Sequence, residues 1–396
     1  MRFVFRTAGE ITFGPGTAAH APAVAARFGR RVMLVVGGRS LERSGMLDRF
    51  EREILGAGMS ATRWAVTAEP DVAAIDEGTR LCRDARIDVA LAIGGGSVLD
   101  TAKAVAALAV NGGRAVDYLE DLGNKSPRTI ERAPLPVVAV PTTAGSGAEV
   151  TRNSVLRVPE ARVKRSLRSD LLIPRAAIVD PELSSTTPRS VAASSGLDAL
   201  THLVEAYVSL GAQPTTDRLA VEGIRLAAGA LWLLAEEKAT HESNAAMALA
   251  SLWGGMALAN AGLGAVHGLV APLGGRYSIP HGAGCGCLLA ATLRTNVVAL
   301  RARSPTSATL ERYATVARAL VRNGERTIEQ AADAIDALRR ALGIGTLARY
   351  GVLASELAEV VSQARGGSMR SNPVDLTDTE LERILEDSLH ERTDVL

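Results

Sequence analysis

A chain of 396 residues, 47% of them apolar, carries enough material for one large domain or two ordinary ones with buried cores. Its charge is nearly balanced, 44 basic against 43 acidic residues, which excludes the clustered basic excess of a nucleic-acid-binding surface. Pairs such as Glu42-Arg43 and Glu51-Arg52-Glu53 read instead as solvated helix faces.

The N-terminus turns polar within six residues and lacks the apolar core and cleavage site of a signal peptide. No uncharged apolar run approaches the roughly 18 residues of a membrane span. The expectation is a cytoplasmic protein without membrane or nucleic-acid partners. In chain order, apolar runs predict strands at Val32–Val36, Thr62–Val66, Val89–Ile93, Val137–Val140 and Ala177–Val179. Helical stretches at Leu47–Leu55, Val72–Ala85 and Val98–Ala109 alternate with them. That alternation predicts a parallel sheet covered on both faces. Residues 111–134, rich in Gly, Pro and charge, read as a long loop. Ser154–Val158 and Arg162–Leu167 read as a hairpin turning at Pro159-Glu160.

After Asp180-Pro181 the strand-like runs nearly vanish. Helices are expected at Ser190–Ser209, Asp217–Leu234, Ala245–Asn260, Leu310–Asn323 and Ile328–Leu342, with Pro188 near the start of the first. The boundary is placed near residue 183, giving an α/β domain over 1–183 and an all-helical domain over 184–396. The three cysteines, Cys82, Cys285 and Cys287, are too few for a disulfide framework. The Cys-x-Cys pair reads as small buried residues in a glycine-rich segment, since two thiolates alone make a poor metal site.

Two segments carry a phosphate-binding signal. Strand 89–93 runs into Gly94-Gly95-Gly96-Ser97 and then a helix, so backbone N–H groups at a helix start can meet an anion with no Cβ in the way. Pro141-Thr142-Thr143-Ala144-Gly145-Ser146-Gly147 follows the next strand, again at a carboxyl end, where open α/β sheets bind ligands. Together they suggest a dinucleotide-sized groove.

Of six histidines, His20, His241 and His390 read as ordinary residues. Asp198 and His202 stand four apart in an otherwise apolar helix, on one face, and a buried acid and imidazole there need a reason. The pair alone fits a metal site or a structural contact equally. His267, in Gly-Ala-Val-His-Gly, and His281, in Ile-Pro-His-Gly, are too far away for spacing to join them to it.

These stretches together resemble the iron-containing, or group III, alcohol dehydrogenase family. The matching segments are GGGSVLDTAKA (94–104), PTTAGSGAEVTRNSV (141–155), AAIVDPEL (176–183), SGLDALTHLVEAYVS (195–209) and AGLGAVHG with PHG (261–282), in the family's order. The resemblance implies a Rossmann-like α/β domain followed by an all-α metal-binding domain, a dehydroquinate synthase-like architecture with the active site in the cleft. It implies metal ligation by Asp198, His202, His267 and His281. The metal would be iron(II), with zinc as the alternative because such donors bind it well. It places cofactor contacts at Gly95, Gly96, Ser97, Asp100, Thr142, Thr143, Ser146 and Lys164, and a substrate-side polar group at Asn153. A homodimer or larger oligomer is expected.

Two departures matter. Where many members carry a second histidine four residues after the first, this chain has Ala271, so a dedicated imidazole relay is absent. Where NAD-preferring members often carry an Asp, the chain reads Gly37-Gly38-Arg39-Ser40. Gly38, Arg39 and Ser40 would suit a 2′-phosphate, which favours NADP over NAD. The function expected is hydride transfer between nicotinamide and a small alcohol, aldehyde or keto substrate. The runners-up are a zinc polyol dehydrogenase of the glycerol type, a maleylacetate-reductase-like enzyme, a non-redox metal- and NAD-dependent lyase of the same fold, or a non-catalytic binder. The Asp at 198 argues against the maleylacetate branch. Only Arg276 offers the basic group that a lyase acting on a sugar phosphate would need.

Overall fold

The five strands predicted as separate apolar runs lie in a single six-stranded sheet, in the order β1-β8-β5-β4-β2-β3, with all pairs parallel. The computed structural model describes residues 2–37, 40–43, 45–122, 126–322 and 325–391. The strands are β1 (Ile11–Phe13), β2 (Arg31–Val36), β3 (Ser60–Ala65), β4 (Val89–Gly94), β5 (Val137–Pro141) and β8 (Ala176–Val179). The hairpin β6 (Asn153–Val158) and β7 (Val163–Arg168) pairs antiparallel as a separate two-stranded sheet. β1 escaped the sequence reading because three residues are too few to show a pattern.

The central strands are apolar along their whole length because both faces are covered. Alternate residues serve opposite layers, as the two-residue period of a strand requires. Met33, Val35, Ala90 and Ala92 pack with residues of α4 (Val72–Asp84) and α5 (Gly96–Asn111). Val32, Leu34, Val36, Leu91 and Ile93 pack with α1 (Ala21–Ala26) and α3 (Met46–Gly56), while the short α2 (Ser40–Arg43) precedes α3. The expected loop after Asn111 holds one 3-10 turn, Ala115–Tyr118.

The chain divides into two compact units, one of residues 6–187 and one of residues 188–396, and the residues before Arg6, expected in the α/β domain, group with the second. Residue 183 itself lies inside the short helix α6 (Pro181–Ser185), and Thr187 is still tied to the first unit by its hydroxyl, which donates to the Thr142 carbonyl at 3.1 Å. Among the described residues no strand follows β8. The second unit is built from α7 (Arg189–Val208), α8 (Pro214–Ala235), α9 (His241–Ala261), α10 (Ala265–Arg276), α11 (His281–Arg303), α12 (Ala308–Leu320), α13 (Ile328–Ala341), α14 (Leu357–Gln363) and α15 (Asp378–Leu389). Its core is α7, buried on every side from Gly196 to Val208 and packed against α8, α9 and α11.

The sequence reading did not anticipate α10 and α11. Gly268, Pro272 and the run His281-Gly-Ala-Gly-Cys-Gly look like loop, since glycine and proline are poor helix formers. The structure shows what the glycines do instead. A Cβ on Gly282 would lie 2.0 Å from the Ser194 carbonyl oxygen, one on Gly284 2.6 Å from Val270, and one on Gly286 2.7 Å from Leu197. Bare backbone lets α11 press against α7 and α10 more closely than any side chain permits. By length and composition α11 could cross a membrane, but 83% of that window is buried inside the protein.

Gly282→Ala is therefore expected to destabilise the fold by about 1–3 kcal/mol through overpacking. Gly229→Ala, at an exposed site in α8 where a Cβ meets nothing within 4 Å, should stabilise it by about 0.5–1 kcal/mol. Urea midpoints check both. Equal shifts for the two substitutions would contradict this account of α11.

Candidate functional site

α7 begins from Pro188 at its N-cap and carries three ionisable groups down one face, Asp198, His202 and Glu205, at the i, i+4, i+7 spacing of a single helical stripe. α9 ends at Gly262, whose φ of +77° turns the chain, and α10 sets off at 102° to it. This corner places His267 one turn into α10. Pro280 caps α11, whose first residue is His281 and whose second turn carries Cys285.

These side chains converge on one atom. Asp198 Oδ1 lies 3.6 Å from His202 Nε2, 3.4 Å from His267 Nε2 and 3.7 Å from His281 Nε2. The His202 and His267 rings stack with centroids 4.7 Å apart. Cys285 Sγ adds a fifth group, donating to Asp198 Oδ1 at 3.4 Å and lying 3.7 Å from His267 Nε2. One donor atom each from Asp198, His267, His281 and Cys285 falls within 4.8 Å of every other. Donors bound at about 2.0–2.3 Å in a tetrahedral shell stand roughly 3.3–3.8 Å apart, so the spacing around Asp198 suits a divalent transition metal. Asp198, His202 and His267 are almost fully buried, whereas the His281 side chain is 37% exposed and marks the accessible side.

Glu205 organises this cluster. Its Oε2 lies 2.6 Å from His267 Nδ1, and its Oε1 accepts the Val266 N–H at 2.7 Å. A carboxylate on Nδ1 holds that nitrogen as the N–H and leaves the Nε2 lone pair towards Asp198. The neighbouring Ala265 N–H donates to Asn372 Oδ1, which is locked to Asn296 and through it to the buried Tyr313 hydroxyl. The start of α10 is thus held by side chains from α7 and from the far C-terminal segment.

The electrostatics are severe. Burial alone would raise the Asp198 pKa, but His202, His281 and His267 together hold it well below the carboxylate range. Burial would lower His267, yet Cys285, Asp198 and Glu205 raise it well above the imidazole range. Burial pushes the Cys285 thiol up to about 12. Among the described ion pairs, Asp198 and Glu205 are matched by imidazoles alone, with no lysine or arginine.

In the α/β unit, Gly95 caps α5 and the two glycine-rich loops lie against each other. A Cβ on Gly96 would stand 2.8 Å from Ser146 Oγ, and one on Gly95 3.4 Å from Thr143 Oγ1. The Thr142 N–H donates to the Gly94 carbonyl at 3.0 Å. Asp100 is turned to the hairpin: its Oδ2 accepts the Val155 N–H at 2.9 Å and its Oδ1 lies 3.1 Å from Lys103 Nζ. Lys103, buried in α5, also donates to the Ala148 carbonyl and to Thr151 Oγ1, which pins the second loop. Lys164 on β7 pairs with Glu69 at 2.6 Å, and Asn153 opens β6. Gly38 and Arg39 lie outside the described residues, and Ser40 opens α2.

Comparison with known proteins places this geometry. The family description "iron-containing alcohol dehydrogenase" matches residues 8–181, and its C-terminal counterpart matches residues 192–389. The chain belongs to the iron-containing alcohol dehydrogenase family. Long-chain-alcohol dehydrogenase 1 of Geobacillus thermodenitrificans (strain NG80-2) is 34% identical over 264 residues, 66% of each chain. An NADPH-dependent butanol dehydrogenase of Clostridium saccharobutylicum is 30% identical over 370 residues, covering 90% of this chain and 91% of the relative. The crystal structure of a 1,3-propanediol oxidoreductase superposes with a TM-score of 0.88 at 30% identity, covering 98% of this chain and all of that one. Against the first curated relatives the matched stretches span 51–66% of the relatives' length.

Within this family member, Glu205, Cys285, Asn372 and Lys103 were missed from sequence. Glu205 continues the Asp198/His202 stripe, and Cys285 repeats the i+4 spacing after His281, so both signals were present but unread. Ala271, one turn beyond His267 in α10, brings no imidazole to that helix face.

Removing the carboxylate should expose what it holds. Glu205→Ala leaves the buried Val266 N–H and His267 Nδ1 without partners and is expected to cost about 3 kcal/mol, while Glu205→Gln, whose single amide oxygen can accept from only one of these two N–H groups, should fall between Glu205→Ala and the parent. Urea denaturation followed by circular dichroism reads this out, and indistinguishable midpoints for Glu205→Ala and parent would contradict it.

Proposed function

We propose that the chain is a metal-dependent, NAD(P)-linked alcohol dehydrogenase or aldehyde reductase acting on small alcohols, aldehydes or ketones. One observation carries the reading: two buried carboxylates, Asp198 and Glu205, face three imidazoles, with no arginine or lysine paired to them among the described residues. A divalent cation supplies the missing positive charge at the point where the donor atoms converge. Asp198, His202, His267 and His281 would hold it, with iron(II) the metal of the family and zinc the alternative, since both accept imidazole and carboxylate.

When bound, the ion supplies Lewis acidity to a substrate oxygen, and the nicotinamide supplies or accepts the hydride. The chain's own residues do the rest. Glu205 keeps the His267 lone pair aimed at the centre. The near-complete burial of Asp198, His202 and His267 excludes bulk water, which strengthens electrostatic interactions there, and His281 bounds the accessible side. Backbone groups of Gly95, Gly96 and Ser97 at the start of α5 would receive the pyrophosphate, beside Thr142, Thr143 and Ser146. Asp100 is tied to this loop system through the hairpin and Lys103, and Lys164 on β7, paired with Glu69, is the proposed further cofactor contact. Asn153 is the proposed substrate-side polar group. With Ala271 in α10, that helix face offers no imidazole for a proton relay, and the proton would leave through water or the ribose of a bound nucleotide.

The preferred cofactor is NADP, supported by Gly38-Arg39-Ser40 in place of an acid and by the NADPH dependence of the butanol dehydrogenase relative. The assembly is proposed to be a dimer or larger.

Asp198→Ala and His267→Ala should each lower bound metal and turnover together, by more than about a hundredfold in affinity. Elemental analysis paired with an aldehyde panel measures both quantities, and full metal content with full turnover in either variant would end the ligand assignment. kcat/KM should favour NADPH over NADH by more than about tenfold, a difference of about 1.4 kcal/mol. A preference for NADH would remove the reading of Arg39.

A further inference from the structure

We propose that Cys285 is a thiolate ligand of the site's metal, a fifth protein donor that softens a centre otherwise made of imidazole and carboxylate. The proposal rests on the metal-site reading above and deepens it.

The placement is specific. Sγ of Cys285 lies 3.4 Å from Asp198 Oδ1 and 3.7 Å from His267 Nε2, the separations of neighbouring donors around one ion. Four donor atoms, from Asp198, His267, His281 and Cys285, lie within 4.8 Å of one another. Cys285 stands one helical turn after His281 on α11, so both face the centre from the same helix, as Asp198 and His202 do from α7. Gly282, Gly284 and Gly286 flank these two residues, and each lacks room for a Cβ. The close approach they permit is what carries Sγ to Asp198.

The alternative is a small buried thiol that fills space and donates a weak S–H hydrogen bond to Asp198. Cys287 shows that alternative on the same helix. It is buried and spends its Sγ on the Gly345 carbonyl at 3.0 Å, outside the group of converging donor atoms around Asp198. Cys82, buried in the α/β unit, has no place in the cluster either. Coordination forms one sulfur–metal bond as the S–H proton leaves to solvent, with no change of oxidation state. Thiolate donors favour zinc and similar soft or borderline ions over harder ones, so the substitution of this position tunes which metal the site retains.

The test uses the full chain loaded with cobalt(II), whose spectrum reports a bound thiolate independently of turnover. The parent protein is expected to bind about one cobalt(II) and to show a near-ultraviolet thiolate-to-cobalt charge-transfer band. Cys285→Ser and Cys285→Ala should bind cobalt(II) but lose the band, whereas Cys287→Ser should keep it. Stoichiometric binding by the parent without the band overturns the proposal and leaves the metal-site reading standing, and the parent spectrum decides this even if a Cys285 variant fails to fold. A band that persists in Cys285→Ser, or that vanishes only in Cys287→Ser, also overturns it. Failure of the parent to bind cobalt(II) at all overturns both readings.

Discussion

Two carboxylates, Asp198 and Glu205, are sealed inside a helical core, and among the described residues their ion-pair partners are imidazole rings. Removing a carboxylate from water costs several kcal/mol even after relaxation, and the cost is recovered only by close, well-oriented positive charge. Histidine supplies that charge only when protonated, and against the lowering effect of burial Cys285, Asp198 and Glu205 around His267 raise its pKa. A cation held by the same groups removes the conflict, because the imidazoles then act as neutral donors and Glu205 hydrogen-bonds one of them. The surrounding architecture follows from this demand. α7 must be buried on all sides, the α9–α10 corner must turn sharply, and α11 must come within backbone contact of α7.

The α/β unit answers a similar problem differently. Asp100 is buried, which raises its pKa, and Lys103 three residues on opposes that rise from the same helix. Here the Lys103 amino group does the balancing, and it doubles as a clamp on the loop that runs through Ala148 and Thr151. A lysine in place of a cation site makes a fixed scaffold, suited to positioning backbone N–H groups for a phosphate. Imidazoles around an acid make an exchangeable centre, suited to an ion that takes part in chemistry.

The sheet was legible in the sequence because its central strands β2, β4 and β5 are buried on both faces and announce themselves as apolar runs ending in glycine-containing turns. The Asp198/His202 pair was legible because two polar groups four apart stood out in an apolar helix. Joining that pair to His267 and His281 took resemblance, since residues brought together by a corner and a helix crossing share no spacing. The helices α10 and α11 were opaque for a physical reason. Their glycines lower helix propensity, and only the tertiary contacts they permit, such as Gly282 against Ser194, repay that loss. Propensity is a local quantity, and the stabilisation here is not local.

Cysteine is where the local reading went furthest astray. Read along the chain, Cys285 and Cys287 form one glycine-rich pair with a single explanation. On a helix, residues two apart point about 200° from each other, so the pair must divide between two environments. The structure divides it: Cys287 meets the Gly345 carbonyl, and Cys285 meets Asp198 and His267. Once the segment is known to be helical, the relevant partner of Cys285 is His281, four residues back, and not its near neighbour. The same correction applies to Glu205, whose meaning lies in its distance from His202 and Asp198 along one face of α7. What a side chain can ligate is set by the period of the element that carries it, and that period could not be assigned to α11 until its glycines were seen as contacts.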